Sequence, residues 1–274
     1  MKQTIKQAAD TVLDYCVNRA GGTPGVVAMA TNRTANFYEG SAGKRALGGD
    51  QTMTLDSVMA IFSTTKAITG TTLMQLVEEG KVSLSDAAKK YVPEIAELQV
   101  LDGFDAAGQP KTRAPKRDIT VNDLILHTSG LCYEFFSHDD LKYRTAKGIP
   151  TVVSSTFAST RTVLLHDPGA AWTYGVSIDW LGRIVEQQRG KRLGEVMKER
   201  VFAPLGMQDI AFTMTRDDHF EAAKLYRQCR AKGITIRFTV DCLIAQLCIR
   251  ENLLLLTKDR DFTQMAKVVP LVVV

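Results

Sequence analysis

The stretch Phe62-Ser63-Thr64-Thr65-Lys66-Ala67-Ile68-Thr69 decides how this chain is read. It follows an apolar lead-in at 57–62 and opens the strongest helical pattern in the sequence. Ile68, Leu73, Met74, Leu76 and Val77 predict an apolar face over 63–79, and Gly80 predicts its end. Positions three apart share a helix face, so the Lys66 ammonium reaches the Ser63 hydroxyl. A serine hydroxyl is a poor nucleophile until a base takes its proton. A lysine can be that base where burial or nearby cations lower its pKa. The start of a helix also favours the negative charge that develops on an attacked carbonyl. A second Ser-x-x-Lys, Ser41 to Lys44, lies in a glycine-rich stretch where no helix fixes the pair. No Gly-x-Ser-x-Gly occurs, which excludes an α/β-hydrolase elbow as the source of the nucleophile.

Outward from this stretch, the spacing predicts an amphipathic helix over 5–18 and two strands over 26–30 and 35–39. A short helix is expected over 84–93 and loop over 102–118. Another short helix is expected over 120–126, with Thr120 and Asp123 as a capping box. Residues 131–170 read as irregular, and helices follow over 177–189 and 192–202. Three later stretches stand out. They are Leu124-Ile125-Leu126-His127-Thr128-Ser129-Gly130-Leu131, Trp172-Thr173-Tyr174-Gly175-Val176-Ser177-Ile178-Asp179-Trp180, and Val201-Phe202-Ala203-Pro204-Leu205-Gly206-Met207.

With the Ser63 stretch, these segments run in the order of the serine β-lactamase and penicillin-binding-protein superfamily. They most resemble the class C β-lactamases and the family VIII carboxylesterases. The resemblance covers residues 5–217 and implies an α/β (α+β) fold, with a helical region beside an antiparallel sheet. It implies that Ser63 is the acylated nucleophile, Lys66 the lysine that activates it, and Tyr174 the tyrosine that shuttles protons. Val176 stands where class C enzymes carry an asparagine, so an amide donor to a lactam side chain is lost. That departure, with the Tyr-Gly-x-x-x-Asp-Trp form, tilts the resemblance towards the esterases. Tyr133 is a rival for Tyr174 outside the matching motif. Asp179 reads as a first-turn helix residue, and His127, His138 and His166 as structural or exposed.

The family's third motif, Lys-Thr-Gly or a tryptophan–glycine variant, does not occur after residue 190. The expectation is therefore an incomplete hydrolase region, 1–217, followed by a separate unit, 218–274. Helices over 221–232, 241–250 and 262–268 alternate with strands over 234–238, 253–256 and 271–274, as in a small parallel α/β unit. Gly233-Ile234-Thr235-Ile236-Arg237, Thr239-Val240-Asp241-Cys242 and Leu255-Leu256-Thr257-Lys258-Asp259-Arg260-Asp261 resemble the C-terminal half of a VapC-type PIN domain. In that family Asp241 and Asp259 would match magnesium-binding acids, with Asp261 close by. Carboxylate oxygens suit Mg2+. The alternative readings are thus a magnesium-dependent RNA-cleaving or RNA-binding module, or an inactive fusion.

Composition narrows the classes further. The 274 residues are 45% hydrophobic and 23% charged, which excludes collagen-like and mostly disordered chains. No apolar run reaches the roughly 18 residues of a membrane span, and the N-terminus lacks a signal-peptide core. The cytoplasm is the expected compartment, and no membrane partner is expected. Five scattered cysteines without a Cys-x-x-Cys read as reduced thiols. The net charge of +4 lies wholly in 221–274, with 9 basic and 5 acidic residues, whereas 1–220 balances 25 against 25. It therefore says little about what the hydrolase region binds. The leading reading is a serine hydrolase that needs no cofactor and acts through an acyl-enzyme on short-chain carboxylic esters, with weak β-lactam hydrolysis at its side. Its partner is a small-molecule ester or lactam; nucleic acid belongs to the alternative alone.

Overall fold

The computed structural model describes residues 4–45, 50–57, 59, 61–207, 210, 216–237, 239–250, 254–255 and 260–273. The chain forms two compact units, Met1–Met59 with Phe212–Val274, and Ala60–Ala211. The first opens with α1 (Ile5–Asn18), started by a capping box between Thr4 and Gln7. It packs on an antiparallel hairpin, β1 (Gly25–Thr31) and β2 (Asn36–Gly43). Leu13 and Tyr38 are buried there, and the Tyr38 hydroxyl donates to Asp10 at 2.9 Å. Ser41 lies within β2, where positions three apart face opposite sides, and Lys44 pairs with Asp50 instead.

In the second unit, a 3-10 turn at Phe62–Thr64 leads into α2 (Thr65–Glu78). The helix buries Thr69, Thr72, Leu73 and Leu76, whereas Met74, expected on the inner face, is 42% exposed. The region expected as loop over 102–118 holds an antiparallel hairpin, β3 (Val100–Phe104) and β4 (Pro110–Arg113). Its turn uses the Asp105 carboxylate, which accepts from the Ala107 and Gln109 N–H groups. α3 (Val121–Ile125) carries the expected capping box between Thr120 and Asp123.

A helix missed in the sequence, α4 (His138–Lys147), is capped by Ser137 and closed by Gly148 in the left-handed region. Its buried positions are Asp140 and Arg144, so it shows no apolar period. Arg144 is 2% exposed. Its Nε donates to Asp140 at 2.6 Å and its Nη1 to the carbonyls of Pro150 and Ser159 at 2.9 and 2.7 Å. Asp140 also accepts from Thr162, and Glu134 accepts from the Val152 N–H at 2.8 Å. One buried guanidinium thus ties down the 150–162 segment, beside Val152 and Phe157, which pack on the apolar core.

α5 (Ser177–Arg189) supplies the largest buried side chain. Trp180 is 0% exposed, donates from Nε1 to the Thr160 carbonyl at 3.2 Å, and meets the Phe157 ring edge-on at 5.0 Å. α6 (Leu193–Met197) runs into a π turn, Lys198–Phe202. Glu79, just past α2, accepts both arms of Arg189 at 2.8 Å and a further bond from Arg200, so the ends of these elements are tied together.

The first unit resumes with α7 (Arg216–Ala231), α8 (Thr239–Arg250), β5 (Leu254–Leu255), α9 (Arg260–Met265) and β6 (Val272–Val273). β5 and β6 pair in parallel, as expected. Leu225, Cys229, Cys242, Ala245 and Met265 share a core of their own. The strand expected over 234–238 does not form among the described residues. There Arg237 donates from its backbone N–H and its Nε to Asp261, at 2.7 and 3.1 Å. Cys229, Cys242 and Cys248 are buried and form no disulfide, and burial pushes the Cys242 thiol up to about 11. No helix among the described residues is long and apolar enough to cross a membrane.

Two predictions follow from this packing. Trp180→Ala should cost about 3–5 kcal/mol in urea unfolding, because it removes a fully buried ring and leaves the Thr160 carbonyl unpaired. The second concerns acid. Burial raises the Asp123 carboxyl, but Arg117, Thr120 and Thr128 outweigh it and hold it at about 2; the Arg189 fork holds Glu79 at about 2. Both lie below their unfolded values, so their stabilisation is complete above those values and is lost as pH falls towards 2. Urea midpoints should drop over that window, and the drop should be smaller in Asp123→Asn.

Candidate active site

Ser63 is presented by a strained turn. Phe62, just before it, has φ 41°, a left-handed conformation that a bulky residue seldom adopts. Ser63 does not cap the helix: the cap residue is Thr64, which makes no side-chain cap bond. The Ser63 Oγ accepts instead from Lys66 Nζ at 3.1 Å, as the three-residue spacing predicted. The Lys66 ammonium lies 5.1 Å from the Tyr174 ring centre and 5.5 Å from that of Tyr133. The structure therefore brings Ser63, Lys66 and Tyr174 together and sets Tyr133 beside them, so the two tyrosines are companions rather than rivals.

Burial lowers the Lys66 ammonium, but hydrogen bonds with the Tyr133 and Tyr174 phenols outweigh it and leave the amine raised. Burial raises the Tyr174 phenol, but the Ser63 hydroxyl and the Lys66 ammonium beside it outweigh that and leave the phenol lowered. Tyr133 has no serine bond, and burial leaves its phenol raised. Lys66 is thus held as a cation and Tyr174 is the group brought closest to ionising. The phenols beside Lys66 favour its charged form, against the burial that disfavours it.

Tyr174 sits in a segment fixed by close backbone contact. A Cβ on Gly175 would lie 2.4 Å from the Cys132 Cα, so only glycine lets the two segments pass. The Ser129 and Ser177 hydroxyls bond at 2.8 Å beside this crossing. Arg113 forks onto Asp167 at 2.8 and 2.9 Å, and Arg117 forks onto Asp123, which also accepts from Thr128 at 3.0 Å. These bidentate pairs brace the loops on either side of the tyrosine.

Ser63 and Tyr174 open into a cleft of about 680 Å³. One wall is aromatic: Tyr133, Phe135, Phe136 and Phe157. The other is the face of α5 that carries Asp179, Gly182, Arg183 and Glu186. Arg183 donates to Glu186 at 2.6 Å and lies over the Phe157 ring at 4.9 Å. Asp179 points into the cleft, where burial raises its carboxyl and the Lys66 charge opposes the rise. Val176 is 1% exposed and lines the cleft as an apolar wall. Sequence reasoning missed the aromatic wall. Its signal was Tyr133-Glu134-Phe135-Phe136, three aromatics in a stretch read as irregular, with Phe135 and Phe136 62% and 65% exposed.

The acids expected at a magnesium site lie in the other unit. Asp241 is buried in the first turn of α8, and Asp261 is bonded to Arg237. Asp259 lies outside the described residues. Among the described residues no group of three or more His, Cys, Asp or Glu converges as metal ligands would.

Gly175→Ala should shift the Tyr174 segment off Cys132. Labelling of Ser63 by a fluorophosphonate, followed by intact mass, should slow by about tenfold or more, since an ångström of misplacement carries costs of up to about a hundredfold. An unchanged labelling rate would show that the close crossing does not position the tyrosine.

Residues 1–238 match the Beta-lactamase family, a match that runs past residue 217 and through α7. The chain is similar to a lovastatin esterase of Penicillium rubens, with 35% identity over 227 residues, 80% of this chain and 54% of that protein. It is similar to a monacolin J acid methylbutanoyltransferase of Aspergillus terreus, with 33% identity over 199 residues, 70% of this chain and 48% of that one. Among solved structures it resembles unliganded simvastatin synthase from Aspergillus terreus, with a TM-score of 0.66 and 30% identity, over 77% of this chain and 54% of that chain. The chain spans about half the length of the curated relatives it matches. With a serine, a lysine and a tyrosine converging in motif order, and with this match over most of its length, the chain belongs to the beta-lactamase family of serine hydrolases.

Proposed function

We propose that the protein is a serine esterase with acyl-transfer capacity, acting through a Ser63 acyl-enzyme on short-chain esters of small, largely apolar molecules. The observation that carries the reading is the Lys66 ammonium, 3.1 Å from the Ser63 hydroxyl and flanked by the lowered Tyr174 phenol. In this reading the Tyr174 phenolate takes the Ser63 proton as Oγ bonds to the ester carbonyl carbon. The phenol then returns that proton to the departing alkoxide as the carbon–oxygen bond breaks. Water, or an alcohol in acyl transfer, gives its proton to Tyr174 as it attacks the acyl carbon. Tyr174 passes the proton back to Ser63 as the acyl–enzyme bond opens. Lys66 stays protonated throughout and stabilises the phenolate.

The aromatic wall supports an apolar acyl or alcohol group, and Val176, with no amide to offer a lactam side chain, supports esters over penicillins. The relatives named as an esterase and as an acyltransferase support both fates of the acyl group. We also propose a boundary at 217/218, in the first turn of α7, on the ground that α7, α8 and α9 beyond it share a core of their own.

Turnover of p-nitrophenyl butyrate tests the reading. Ser63→Ala should abolish it, and equal rates in this variant and the parent would sink the proposal. Tyr174→Phe should lower it by about 10²- to 10⁴-fold. The rate should rise with pH as the lowered Tyr174 phenol ionises and fall where Lys66 loses its proton, above the usual lysine range.

A further inference from the structure

We propose that His127 is a positioning residue for Tyr174, with its Nδ1 serving as a hydrogen-bond acceptor that fixes the tyrosine segment; this rests on the Ser63–Tyr174 reading above. His127 follows α3 and has φ 57°, a left-handed conformation in which histidine is enriched among non-glycine residues. That conformation turns its backbone and its ring towards the same neighbour. The His127 carbonyl accepts from the Thr173 N–H at 2.8 Å, and its Nδ1 accepts from the Gly175 N–H at 3.4 Å. Both peptide neighbours of Tyr174 therefore donate to one residue. Between those two bonds, the imidazole lies 4.8 Å from the Tyr174 ring, with Trp172 at 6.4 Å on its edge.

The arrangement rules out a proton-shuttling role at Nδ1, because that lone pair is already engaged. It requires the neutral ring with its proton on Nε2, since a protonated Nδ1 would present a second donor to the Gly175 N–H. His127 is 9% exposed, and the charge that faces it, Lys66, is positive; burial and that charge push the ring down to about 4. The acceptor is thus maintained by the same ammonium that stabilises the Tyr174 phenolate. Gly175 is itself buried, so removing the acceptor strands a peptide N–H and frees the tyrosine to rotate away from Lys66.

The test compares three variants of the full chain. In His127→Asn the side-chain oxygen takes the place of Nδ1, and asparagine tolerates positive φ. In His127→Gln the acceptor is displaced outward, and in His127→Leu it is lost. Tyr174 is titrated by ultraviolet difference against Tyr174→Phe, on variants that melt cooperatively. The parent and His127→Asn should show Tyr174 ionising below an ordinary phenol. His127→Gln and His127→Leu should return it to the ordinary range and, with p-nitrophenyl butyrate, lower kcat by about 10²-fold at unchanged KM. Identical Tyr174 titration in all folded variants, or loss of the shift in His127→Asn as complete as in His127→Leu, would overturn the proposal. A parent that shows the titration differences but no ester turnover would instead refute the esterase reading and leave the positioning role standing.

Discussion

A single ammonium organises the catalytic half of this protein. Lys66 touches the Ser63 hydroxyl, faces two phenols, and acts through space on the His127 imidazole and the Asp179 carboxylate. The charge acts on each neighbour against or alongside burial: it draws the Tyr174 phenol towards ionisation, adds to the burial that keeps the imidazole neutral, and opposes the burial that raises Tyr133 and Asp179. Because the charge comes from one turn of helix, the registry of α2 sets the electrostatics of the whole cleft.

The scaffold around it is braced by polar groups as much as by apolar ones. Trp180, Leu73, Leu76, Leu124 and Leu164 make the core that fixes α2 and α5. The loops that reach the site add ion pairs to their packing on that core. They hang on guanidinium groups: Arg144 for the 150–162 segment, Arg113 and Arg117 for the loops beside Tyr174. A fork fixes direction as well as distance, which a loop without regular backbone pairing otherwise lacks. For Arg144 and Asp140, which are buried, removing one partner leaves an uncompensated charge, so that segment is held to one arrangement.

Most helices were legible because their apolar residues recur with helical period or because their ends are marked, as at Thr120 and Gly80. The failures share a cause. α4 buries Asp140 and Arg144, and the β3–β4 hairpin is short, with Val100 its one fully buried strand residue, so neither leaves an apolar pattern to read. The stretch over 234–238 has a strand's apolar content, yet Arg237 within it spends its backbone N–H on Asp261.

Chemistry divides in the same way. The sequence by itself determined that Ser63 and Lys66 meet, because helical spacing makes that contact local, and it pointed to Tyr174 through motif order. Folding decided the electrostatic setting of that pair. That depends on phenols 67 and 108 residues away along the chain, Tyr133 and Tyr174, which only the packed chain brings beside the amine. It also decided that an aromatic wall faces the nucleophile and that His127 brackets the tyrosine. Local spacing determines contacts within a turn of helix; a pKa is set by whatever charge and bulk arrive from elsewhere.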